Sequence, residues 1–156
     1  MKTVLLVVCA FLLIAPAAAD LGPAPPAVFA FDSGGTHHPG GHGAWSLRLY
    51  DTGDLELTHT VGEELTDWDD LRLDEETNAA LWERLYELNL DELEFAERPG
   101  VPDEVMLTIA FFPPYGGGDT VEAWSGDVAE VPRLVELLEL LEELIEEQTG
   151  RRAVLR

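Results

Sequence analysis

The chain has 156 residues, with 31 acidic against 9 basic side chains, a formal net charge of −22 and one cysteine. So negative a surface repels nucleic acid and anionic lipid, which sets both aside as partners, and it favours cations and basic proteins. A single cysteine offers no internal disulfide, so stability must come from burial.

Lys2, the apolar run Val4 to Ile14 and the small residues Ala17-Ala18-Ala19 read as a signal peptide over residues 1–19, cleaved before Asp20. The apolar run is too short to span a bilayer comfortably, and Pro16 breaks it. The expected location is secreted or periplasmic, with no membrane contact after cleavage. Removing 19 of 156 residues leaves some 137, enough for one domain with its own core. It also removes Cys9 and the only lysine, so 8 arginines face all 31 acids and the charge becomes −23.

Residues 20–27 form a Pro/Ala-rich leader. Val28 to Phe31 reads as a short strand. Ser33 to Gly43 holds five glycines, a proline, His37, His38 and His42, a composition that fits an exposed loop and no regular element. Next comes the clearest pattern in the chain. Trp45, Leu47 and Leu49 alternate with polar neighbours, as do Leu55, Leu57, His59 and Val61, on either side of Asp51-Thr52-Gly53-Asp54. That predicts an antiparallel hairpin with one buried face.

Gly62 to Leu73 reads as an acidic connection carrying Trp68. Asp74 suits an N-cap, with Glu75 and Glu76 at the positive end of the helix dipole. Leu81, Trp82, Leu85, Tyr86 and Leu88 follow at helical spacing, with an end near Asn89. Leu90 to Asp103 is a long acidic loop. Val105 to Phe112 is apolar on both faces and reads as a central strand, and Thr120 to Trp124 as its return. Pro132 opens a last helix with the stripe Leu134, Leu137, Leu138, Leu141, Leu144 and Ile145, which Gly150 closes.

The expected fold is therefore α+β: a two-layer domain with a mostly antiparallel sheet of about five strands and two amphipathic helices on one face, in the order βββαββα. A single domain over 28–149 carries it. Residues 150–156 form a basic C-terminal tail. The glutamate-rich helix face reads as a solvated surface or an adaptation to salt.

Candidate chemistry is sparse. His37, His38 and His42 lie within six residues and suit zinc or copper, which gives a periplasmic metal-binding alternative. Their spacing matches no closed zinc site, and a glycine-rich loop preorganises ligands poorly. The Asp51–Asp54 turn resembles a fragment of a calcium loop without its terminal glutamate. No nucleophile elbow, phosphate loop or His-Glu-x-x-His motif occurs, so the expectation is a non-enzymatic chain without a cofactor. An acidic hydrolase stands as a further alternative. Trp45 and Trp82 fall on buried faces, which leaves Trp68 and Trp124 as candidates for an exposed patch.

A resemblance sharpens this. A strand ending in Ser33-Gly34-Gly35 precedes a hairpin and a Leu-rich helix entered through Leu73-Asp74-Glu75-Glu76. Pro102-Asp103-Glu104 then leads into Val105 to Phe111, a return strand and a final Leu-rich helix. This order over Val28 to Ile145 resembles the emfourin family of small protein inhibitors of thermolysin-like metallopeptidases, and also small secreted bacterial domains of unassigned function. The chain departs from the family in the eight residues Thr36 to Gly43, where the family link is tighter. The resemblance implies a domain that binds another protein, inhibition of a metallopeptidase being one version. The candidate contact is the loop with Ser33, Gly34, Gly35, His37, His38 and His42.

Overall fold

The computed structural model describes residues 25–35, 42–95, 98–101, 103–114 and 117–155. The expected signal peptide, His37 and His38 lie outside them.

Among the described residues, six strands form one antiparallel sheet. They are β1 (Val28–Asp32), β2 (Ala44–Tyr50), β3 (Asp54–Val61), β4 (Glu64–Arg72), β5 (Met106–Phe112) and β6 (Asp119–Trp124), in the spatial order β4-β3-β2-β1-β5-β6. Two helices, α1 (Glu75–Glu87) and α2 (Pro132–Thr149), complete an α+β fold. The expected architecture holds, with one correction: the order is ββββαββα, and the sheet has six strands where about five were expected.

The additional strand is β4, drawn from the stretch that read as a connection. Gly62, at φ 59°, and Glu63 turn the chain back on β3. Glycine at the first of two turn positions suits the mirror-type turn that matches strand twist. The ladder slips between Leu55↔Leu71 and Leu57↔Trp68, so β4 carries one residue more than the segment it faces. That bulge lets Trp68 and Leu71, three apart in sequence, both pack against the core. Leu65 points outward, 58% exposed. Period-2 alternation is therefore scrambled at both ends of β4. A bulged, acidic outer strand is also a poor template for edge-to-edge pairing.

The β2–β3 hairpin follows its sequence pattern through Leu57; beyond it His59 is half-buried and Val61, expected on the buried face, is 40% exposed where the strand runs out past the core. The Gly53 N–H donates to the Tyr50 carbonyl (2.9 Å), and Gly53 takes φ 89°, which a side chain would disfavour. Register places Phe29 opposite Leu49 and Phe111, and Phe31 opposite Leu47 and Ile109. These residues, with Trp45, Leu55, Leu57 and Leu107, share one face, buried throughout except at the half-buried Phe111. The strand β5, expected at the centre, lies between β1 and β6.

Both helices cover that face. Asp74 caps α1 by accepting the Thr77 N–H (3.0 Å) and hydroxyl (2.7 Å), and these bonds hold its carboxyl below its ordinary pKa. The six expected α2 stripe residues are all buried, each burial stabilising by roughly 1.5–3 kcal/mol. Trp82 docks α1 on the hairpin by donating its Nε1–H to the Tyr50 carbonyl (3.3 Å). Beyond the helix stop at Gly150 (φ 68°), the chain returns to the core. Ala153 and Leu155 are buried, and the Leu155 N–H donates to Glu142 Oε1 (3.0 Å). The segment expected as a basic tail thus contributes packing, with Ala153 and Leu155 buried on either side of the half-buried Val154. Among the described residues, no helix is long and apolar enough to cross a membrane.

Candidate binding site

Two regions qualify, at opposite ends of β1. The first is the base of the Ser33–Gly43 loop. Ser33 is buried and extends the β1–β2 ladder: its N–H donates to the Trp45 carbonyl (2.9 Å), and its hydroxyl accepts the Trp45 N–H (2.7 Å). Gly34 takes φ 56° and donates its N–H to Asp32 Oδ1 (2.7 Å). A Cβ at Gly34 would lie 2.7 Å from the Met106 carbonyl oxygen, so that close approach requires glycine. Gly35, half-buried, also has positive φ, at 78°.

At the other foot, Gly43 is buried at φ 71°, where a Cβ would meet the Thr60 carbonyl oxygen at 2.5 Å. His42 is exposed, and its carbonyl oxygen lies 2.9 Å from His59 Nε2. His59 stacks on Trp45 (4.1 Å between centroids), Trp45 on Trp68 (5.7 Å), and the Arg151 guanidinium sits 5.1 Å over Trp68. A cation over an indole face is favourable.

The structure thus brings Ser33, Gly34 and His42 together around a small hollow that Ser125 and Leu155 also line. Ser33 and Gly34 serve the fold, and the exposed candidate is His42. The metal alternative needs His37 and His38, which lie outside the described residues. Among the described residues, no three His, Asp or Glu side chains gather as metal ligands. The Asp51–Asp54 turn is closed by its own contacts: Asp54 accepts from the Thr52 hydroxyl (2.8 Å) and pairs with Arg72 (2.9 Å). The Ser125 hydroxyl accepts the Val105 N–H (3.2 Å).

Neither tryptophan expected on an exposed patch forms one. Trp68 packs against the core, as described. Trp124 donates its Nε1–H to the Arg98 carbonyl (3.1 Å) and lies under Arg98, with Gly100 close against its ring. Arg98 also grips Glu104 with two nitrogens (2.8 Å each) and Asp127 with a third contact (2.8 Å). The paired guanidinium, together with the Val101 N–H, holds the Glu104 carboxyl down at about 2 and raises Arg98 in turn. Tyr50 is shifted upward by burial and by its bond to Glu56 (3.0 Å).

The second region escaped the sequence. A pocket of about 340 Å³ opens between the last turn of α1 and the core-facing side of β1, β5 and β6. Phe29, Leu85, Ile109 and Phe111 form its walls, and Asn89, Asp91 and Asp119 its polar edge. The sequence signal was the acidic start of the long loop, Asn89 to Asp91, immediately after an apolar helix end. Nothing in periodicity shows that Asp119, nearly 30 positions later, lies beside the same opening.

In comparisons with protein-family models, curated proteins and solved structures, the chain matches none.

Proposed function

We propose that the chain is a secreted, non-enzymatic binding domain that engages another protein through the Ser33–Gly43 loop, and that a thermolysin-like metallopeptidase is the partner class to test first. The observation that carries the reading is the anchoring of both loop feet. Ser33 is fixed to Trp45 through backbone and side chain, and His42 meets His59 through its carbonyl. A loop held on a rigid scaffold loses less conformational entropy on binding, which is how small inhibitors gain affinity. The formal charge of −22 supports a partner with a basic contact surface, which such a charge would steer into encounter.

The test is peptidase turnover with the purified chain at micromolar excess, beside a variant in which Thr36–His42 is replaced by a glycine-serine linker of equal length. Inhibition by the natural chain alone supports the proposal. Unchanged turnover rejects the inhibitory version, and equal inhibition by both chains rejects the loop as the contact. N-terminal sequencing of secreted material should begin at Asp20.

A further inference from the structure

The pocket beneath the end of α1 is remote from the loop and has chemistry of its own. Its walls are apolar and aromatic: Phe29 and Ile109 are 1% and 2% exposed, while Tyr86 and Phe111 stand edge to face, 5.3 Å apart at 72°. Its volume is in the range that accepts a small organic molecule. Two features at the opening favour positive charge. Asp91 and Asp119 line it and are exposed. Aromatic faces attract cations, most strongly where water is displaced. The C-terminal end of α1 also reaches the opening, but its Leu88 and Asn89 carbonyls are already met by the Arg133 guanidinium (3.2 and 3.0 Å), which also pairs with Glu92 (3.6 Å).

We propose that this pocket is a receptor site for a small organic cation with an apolar body, an arylalkyl- or alkylammonium. Its carbon frame lies against Tyr86, Phe111 and Val121, apolar lining residues that reach the surface above the buried Phe29 and Ile109, and its charge stays at the mouth with Asp91 and Asp119. An anion would meet two carboxylates. A neutral molecule of the same shape would keep the walls and lose the mouth. This assignment is independent of the loop and of any peptidase.

A matched set separates these cases: 4-phenylbutylammonium, 4-phenylbutan-1-ol and 4-phenylbutanoate, titrated into the whole chain. The readouts are calorimetry and the emission of Trp82, whose ring lies 5.7 Å from Phe111 and 5.8 Å from Tyr86. The ammonium should bind saturably, about tenfold tighter than the alcohol, with the carboxylate weakest. Asp91→Asn and Asp119→Asn are exposed changes that leave the core intact. Each should weaken the ammonium by about threefold, the scale of a partly solvated charge contact, and leave the alcohol unaffected. Equal binding of all three compounds overturns the proposal, as does no saturable ammonium binding at millimolar concentration. An ammonium preference that survives the double variant overturns it as well.

Discussion

Arg98 ties three parts of the chain together. It reaches Glu104 just before β5 and Asp127 in the short 3₁₀ stretch Ser125–Glu130, and it covers the ring of Trp124. Glu104 is depressed from 4.5 to about 2, so the folded state binds that proton more weakly than the unfolded chain. The contribution of the pair is complete above the unfolded value near 4.5 and disappears as the pH falls through about 2. Arg98→Ala should therefore lower the melting temperature by a constant amount above pH 5. The gap to the natural chain should close between about pH 4.5 and 2, as followed by thermal melts across pH. A gap independent of pH down to 2 would show that Arg98 acts through packing on Trp124 alone.

At the scale of elements, β4 is the informative case. Its inward residues are Thr66, Trp68 and Leu71, separated by a bulge, and its most apolar outward residue is Leu65. The two apolar side chains Leu65 and Trp68 should then respond in opposite ways to truncation. Trp68→Ala removes a ring stacked on Trp45 and covered by Arg151, and should cost about 2–4 kcal/mol in denaturant unfolding. Leu65→Ala should stay within about 0.5 kcal/mol of the natural chain. Comparable losses at both positions would contradict the bulged register. The same reasoning separates the helices. α1 and α2 announce themselves because a stripe at 3.6 spacing survives any acidic partner face, whereas a strand with aspartates either side of a bulge loses its period of two.

At the scale of the whole molecule, charge dominates. The described ion pairs engage only some of the acids. Arg84, for example, bridges α1 to Glu136 on α2 while also meeting Glu87. A chain at −22 repels itself most when compact, and salt screens that repulsion within about 10 Å at 0.1 M. Raising sodium chloride from about 20 mM to about 0.5 M, a change that shortens the screening length severalfold, should raise the melting temperature near neutral pH. A fall would mean that the surface pairs outweigh the repulsion.

The amino-acid order alone determined what depends on local period and local caps: the hairpin around Gly53, the Asp74 cap, the α2 stripe, the α1 stripe except at Tyr86, which is 57% exposed, the Gly150 stop and the burial of Trp45 and Trp82. It also marked the Ser33–Gly43 segment as a loop, though not that Ser33 and Gly34 are consumed in anchoring it. Tertiary structure decided the rest. The bulge that turns Trp68 inward needs β3 as its template. The burial of Ala153 and Leu155 needs a sheet to return to. The cation-favouring pocket joins Asp91 and Asp119 across a β-strand pair that no window of neighbouring residues contains. Patterns of period two or 3.6 encode which side of an element is apolar, but which elements meet is set by burying all those sides at once.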